Sequence, residues 1–177
     1  MATIISHALI PLSLGLVLNR DKYPWRLIIA GMLCAMLPDL DVLMFKFGVA
    51  YESPFGHRGF THSLAFAAAI AAMLTLLSRY LKTAKARIFG FIFIAAASHG
   101  VLDAMTTGGL GVEFFWPVSL QRYFFPVQFI QVSPIGLHNF MTARGLQVIQ
   151  SELVTIWLPC LVFVSLINIY SHQRTKP

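Results

Sequence analysis

Ile88-Phe-Gly-Phe-Ile-Phe-Ile-Ala-Ala-Ala-Ser-His99-Gly-Val-Leu-Asp103-Ala-Met105 is the stretch on which the fold turns. At about 1.5 Å per residue its 18 positions cover about 27 Å as a helix, close to the roughly 30 Å hydrocarbon thickness of a bilayer. It contains no Lys, Arg or Glu, yet it carries one imidazole and one carboxylate. Ionisable groups inside such a span cost roughly 2.5–3.5 kcal/mol each on insertion scales and by default mark a functional site.

Four further apolar runs flank it: Ile4–Leu18, Leu27–Phe45, Ser63–Leu81 and Leu153–Tyr170. The first is short and contains Pro11. Of 177 residues, 57% are hydrophobic and 11% charged, which excludes ordinary water-soluble classes. The expectation is a single all-α domain over 1–177, a polytopic membrane helix bundle of about five spans with no internal repeat. Between the last two spans, Thr106–Glu152 is rich in Gly, Pro and aromatics, including Phe114-Phe115-Trp116-Pro117 and Tyr123-Phe124-Phe125-Pro126. Trp and Tyr favour the headgroup level, so this stretch is expected to be a long outer loop, interfacial or re-entrant.

Basic residues fix the orientation. Arg20, Lys22, Arg26, Arg79, Lys82, Lys85, Arg87, Arg174 and Lys176 fall in one alternate set of loops, while the other holds only Lys46, Arg58, Arg122 and Arg144. The positive-inside rule makes the first set cytoplasmic and places the N-terminus outside. The net charge of +6 is accounted for by these flanks, and no separate basic surface invites nucleic acid. No basic residue or A-x-A site accompanies the first run, which reads as a retained helix. Cys34 and Cys160 lie in separate spans without metal-type spacing.

The ionisable residues within the spans are His7, Asp39, Asp41, His99 and Asp103, with His57 and His62 at the mouth of the third. Counted from the cytoplasmic end of each span, His7 lies about 16 Å in, Asp39 and Asp41 about 18 and 21 Å, and His99 and Asp103 about 16 and 22 Å. All converge on the outer half, so four helices deliver His or Asp to one level.

Local spacing agrees. His99 and Asp103 stand at i and i+4 on one helix face, where both can reach one metal. Asp39 and Asp41 stand at i and i+2, which do not share a face in a regular helix. Pro38 would disturb the helix and let both turn inward, or one Asp ligates while the other orients a ligating His. His57-Arg58-Gly59-Phe60-Thr61-His62-Ser63 supplies two imidazoles in a turn. Arg58 is either an anion clamp or a partner of Asp39 or Asp41, and Thr61 and Ser63 are candidate helix caps. Four His and three Asp in N and O ligation suit Zn²⁺, or Mn²⁺, with room for one or two ions.

These motifs, together with Ser6-His7 and Phe115-Trp116-Pro117-Val118-Ser119, resemble the YdjM/YbcI-like family of bacterial inner-membrane metal-dependent hydrolases, also labelled a LexA-regulated membrane hydrolase family. The resemblance covers nearly the whole chain and matches His7, Asp39, Asp41, His57, His62, His99 and Asp103, with Arg58, Thr61 and Trp116 beside them. It implies a metal-dependent hydrolase of the bacterial inner membrane. A looser likeness to zinc-dependent phospholipase C-type enzymes implies phosphoester chemistry.

The leading expectation is hydrolysis by metal-activated water at the periplasmic side, with Asp39 or Asp41 taking the proton and Arg58 assisting. The substrate would be a phosphoester of a lipid or lipid-linked compound; the bilayer is the one partner inferred. The alternatives are a divalent-cation or proton transporter and a non-catalytic protein with a structural metal. Any one of these His or Asp could instead bind a backbone carbonyl or a neighbouring helix. His138 and His172 read as ordinary interfacial residues, and Glu113 and Glu152 as outer-loop acids with a lesser claim on the site.

Overall fold

The computed structural model describes residues 1–174. Lys176, counted above with the basic set, lies outside the described residues. The elements in chain order are α1 (Ile4–Val17), α2 (Trp25–Met36) continuing as a 3-10 helix (Leu37–Phe47), a 3-10 turn (Phe60–His62), and α3 (Leu64–Leu74) continuing through Thr75–Leu77 into α4 (Ser78–Leu81). Then come α5 (Lys85–Ala104), α6 (Leu137–Phe140), and α7 (Ala143–Glu152) joined by one π turn (Leu153–Trp157) to α8 (Leu158–Arg174). No strand forms among the described residues; isolated bridges pair Thr106 with Ile130 and Val112 with Tyr123.

Four helical units among the described residues are long and apolar enough to cross a bilayer: Trp25–Phe47, Leu64–Leu81, Lys85–Ala104 and Ala143–Gln173. The fifth expected span, α1, has 14 residues and so about 21 Å of rise. Pro11 lies inside it without ending it.

α1 packs against α2, α5 and α8, and α5 against α2 and α3. Small side chains make these approaches close: Ala35 of α2, Ala67 and Ala71 of α3, and Ala95 and Ala96 of α5 are all buried. One apolar cluster, built on Leu27, Ile28, Ile88, Phe91 and Ile92, fills the end that carries the basic loops. There the Arg26 guanidinium donates to the Tyr80 carbonyl at 3.0 Å and the Thr83 hydroxyl to the Lys22 carbonyl at 2.6 Å, so the two basic loops meet. A second cluster of Ala2, Leu102, Ile130 and Ile156 closes the other end. α8 leaves Leu158, Leu161 and Leu166 more than half exposed, a surface suited to lipid.

The expected loop Thr106–Glu152 is shorter than the sequence implies. Its last ten residues, Ala-Arg-Gly-Leu-Gln-Val-Ile-Gln-Ser-Glu, form α7, with Gly145, Val148 and Glu152 buried and Gln147 and Gln150 turned outward. That mixed face hides the helix from a reading based on unbroken apolar runs.

Candidate metal centre

The change of helix type in the second span separates its two acids. The α-helix ends at Met36, and Pro38, which has no N–H to give, sits at the start of the 3-10 segment. With 3.0 residues per turn, positions two apart diverge by about 120°, against about 160° in an α-helix. Asp39 and Asp41 are accordingly both buried, 3% and 5% exposed, but address different neighbours.

Asp39 faces α1 and α5. Its Oδ1 lies 3.4 Å from His99 Nε2 and its Oδ2 4.0 Å from His7 Nε2, and neither oxygen has a hydrogen-bond partner. Asp41 faces the 57–62 turn. Its Oδ1 accepts from His57 Nδ1 at 2.6 Å, and its Oδ2 accepts from the Thr61 hydroxyl at 2.8 Å and the Arg58 backbone N–H at 3.2 Å. His62 Nδ1 is 3.3 Å from the same Oδ2. Asp41 is thus the carboxylate that orients two imidazoles, one of the two arrangements open from the spacing.

The turn itself is tight. A Cβ on Gly59 would fall 2.1 Å from the Pro54 carbonyl oxygen, so no larger residue fits there. Arg58 has φ +66°, a left-handed conformation that is strained for a residue with a Cβ. Ser63 accepts from Phe66 N–H and caps α3; Thr61 does not cap but serves Asp41.

His99 and Asp103 come from consecutive turns of α5 and both are fully buried. His99 Nδ1 lies 2.7 Å from the Ala35 carbonyl, which can only accept, so Nδ1 carries the proton and the Nε2 lone pair faces inward. His62 Nε2 is 3.0 Å from His99 Nε2 and 3.5 Å from Asp103 Oδ2. His7, stacked on His99 with centroids 3.7 Å apart, places Nε2 3.5 Å from Asp103 Oδ1.

Donor atoms of Asp39, His62, His99 and Asp103 all lie within 4.8 Å of one another, and those of Asp41, His57 and His62 form an adjoining group. Ligands about 2.0–2.1 Å from a tetrahedral metal are about 3.3–3.4 Å apart. Within the first group the separations of 3.4 and 3.5 Å match that edge and those of 3.0 and 4.0 Å bracket it, and the unpartnered oxygens of Asp39 supply the negative charge a divalent cation requires. The residues present therefore fit a metal such as Zn²⁺. Outside the spans, burial pulls the His62 imidazole down, but hydrogen bonds to Asp103 and Asp41 prevail and raise it to about 9. Burial lowers His57 despite its bond to Asp41.

Arg58 pairs with neither Asp39 nor Asp41 through its side chain. Its Nε lies 3.2 Å from Asp103 Oδ2, and its terminal nitrogens donate to the Gly108 carbonyl at 2.8 Å and the Thr106 hydroxyl at 2.9 Å, with no exposed surface. Both outer acids are buried but stand aside from the four-donor group. Glu113 pairs with Arg122 at 2.9 Å. Glu152 takes the Thr3 N–H and hydroxyl, each at 2.5 Å, and the Ser6 hydroxyl at 2.7 Å, while Trp157 Nε1 donates to Ser6 at 2.8 Å. These contacts anchor the start of α1, whose Ala2 N–H donates to Asp103 Oδ1 at 2.9 Å. Sequence reasoning missed Glu152 in this role; the one signal was a Glu placed ahead of an apolar run. His138 and His172 belong to neither donor group.

A family model described as YdjM inner membrane protein matches residues 1–175. Inner membrane protein YbcI of Escherichia coli (strain K12) is 46% identical over 168 residues, which is 94% of this chain and 97% of that protein. YvsG of Bacillus subtilis (strain 168) is 34% identical over 92 residues, 48% of this chain and 54% of that protein. No solved structure matches this chain.

Proposed function

This chain belongs to the YdjM family of inner membrane proteins, and we propose that it is an integral membrane metal-dependent hydrolase that cleaves a phosphoester of a lipid or lipid-linked substrate at the periplasmic side. The observation that carries this reading is the buried convergence of His62, His99, Asp39 and Asp103 within 4.8 Å, with the His99 lone pair directed inward and both Asp39 oxygens unpartnered.

A divalent cation held by these four, with His7 beside them, supplies the Lewis-acid chemistry that makes water a nucleophile near neutral pH. Asp39 is the proton acceptor best placed for the attack, because Oδ2 is not committed to another donor. Asp41 holds His57 and His62 in their tautomers, and Arg58 holds Asp103. The basic loops, which meet at the end opposite the cluster, support a periplasmic placement of the site. A transmembrane ion route is disfavoured: among the described residues every buried Asp, Glu, His and Arg lies at the cluster's end of the bundle, leaving the far half without a buried charge.

The test is to purify the protein in detergent, measure bound metal by mass spectrometry, and assay phosphomonoester and phospholipid substrates with and without chelator. Chelation is expected to abolish turnover and Zn²⁺ or Mn²⁺ to restore it. Full activity after His99→Ala and Asp103→Ala overturns the reading.

A further inference from the structure

The segment 106–135 roofs the cluster and carries only two charged side chains, Glu113 and Arg122. They neutralise each other, 2% and 13% exposed. The surface this segment turns outward is mainly apolar, with Gln121 and Gln128 among its exposed residues: Val118 is 93% exposed, Val127 62%, Leu120 55% and Phe115 51%. Large apolar side chains exposed together in one segment mark a docking face.

Where the segment meets the bundle its backbone is satisfied internally, whereas N–H groups at its tips, such as those of Leu120 and Val127, have no protein partner. Val112 and Tyr123 exchange N–H···O bonds at 2.9 and 3.0 Å, Thr107 N–H reaches the Ile130 carbonyl and Ile130 N–H the Met105 carbonyl, and Phe125 N–H reaches Ala104. Irregular chain is tolerated against lipid only when its polar groups are met from within the protein. The segment also leaves one membrane-length helix at Ala104 and leads, through α6, into another that begins at Ala143, so its outer face continues the lipid-facing surface of the bundle.

We propose that 106–135 is seated at the headgroup level of the leaflet on the cluster's side, the side chains of Phe115, Val118, Leu120 and Val127 dipping into the acyl region, and that the metal centre is reached from the lipid rather than from bulk water. Its substrates are then amphiphiles whose acyl chains stay in the bilayer during the reaction; this second step rests on the hydrolytic reading above, the seating in lipid does not. The roof is tied to the centre by hydrogen bonds. Arg122 donates to the carbonyls of His57, Tyr51 and Ser53, and Arg58 to Gly108, so a shift of the segment is felt at both clusters.

Spin labels on Val118→Cys and Val127→Cys, in a full-length background with Cys34→Ala and Cys160→Ala, test the seating in phosphatidylethanolamine–phosphatidylglycerol vesicles. Oxygen, which concentrates in lipid, is expected to relax both labels more than a water-soluble nickel chelate does, with the order reversed at Lys82→Cys on the opposite end. Nickel access at Val118 and Val127 equal to that at Lys82 overturns the proposal, and so does exclusion of both reagents, which indicates a covering protein such as a second copy. In the activity arm, Val118→Asp should lower turnover of vesicle phosphatidylglycerol at least tenfold and leave p-nitrophenyl phosphate unchanged. Equal effects on the two substrates overturn the lipid-side access. A centre that hydrolyses neither fails in the activity arm alone, while the label arm still decides where the segment lies.

Discussion

Arg58→Ala separates two roles that a lone arginine beside a metal centre can play. The guanidinium is fully buried, 3.2 Å from Asp103 Oδ2 and bonded to Gly108 and Thr106. Removing one partner of a buried ion pair leaves the other charge uncompensated and costs about 3–5 kcal/mol. For a chain of this size that is about 6–20 °C in Tm, taking about 2–4 °C per kcal/mol. The backbone adds a second signature. At φ +66° a Cβ is strained by about 1–2 kcal/mol, so Arg58→Gly should be less destabilising than Arg58→Ala by about that amount, although it removes more side chain. Combining Arg58→Ala with Asp103→Asn should be far from additive, because the second substitution removes the stranded charge. Thermal unfolding of the purified protein in detergent, followed by intrinsic fluorescence, reads all three. If Arg58→Ala leaves Tm within 2 °C of the parent while abolishing binding of phosphate or substrate, the residue is an anion clamp and the positioning argument is wrong.

Asp41→Asn should weaken metal binding about 10–100-fold without removing a donor from the four-residue group, because it loosens His57 and His62 together; competition against a chelator measures it, and unchanged affinity refutes the orienting role. Glu152→Gln should cost about 1–3 kcal/mol, since an amide group would face donors that now meet a carboxylate at Thr3 and Ser6, and an unshifted Tm would count against that anchor. Metal loading at pH 7 should release about one proton, because the His62 imidazole, raised to about 9, must give up its proton to act as a donor. The same linkage makes metal affinity fall as pH is lowered, which an indicator titration in weak buffer can follow.

Periodicity and hydropathy carried the helical bundle and four of its membrane-length units, since an apolar run of that length has few other uses. They failed at Ala143–Glu152, where Arg144, Gln147 and Gln150 interrupt the pattern on the face turned from the core. The cluster was legible for a related reason: His7, Asp39, His99 and Asp103 are conspicuous because lipid makes them costly. What the spacing left open was partner choice. Whether Arg58 meets Asp39, Asp41 or Asp103 depends on how the 57–62 turn lies over the end of α5, a tertiary relation with no period of its own. The division of labour between Asp39 and Asp41 likewise required knowing which helix type follows Pro38. Glu152 escaped because its partners, Thr3 and Ser6, lie at the far end of the chain.

That 3-10 segment also makes the second span intolerant of insertion. In such a helix residues three apart eclipse one another at about 2.0 Å of rise per residue. One residue added between Asp39 and Asp41 would therefore stack the two carboxylates on a single side, about 6 Å apart along the axis, so that the imidazole pair His57 and His62 and the pair His7 and His99 could no longer each have its own acid. A gap of one residue assigns an address to each carboxylate, and a change of reading length, more than any change of residue type nearby, would deliver both to the same door.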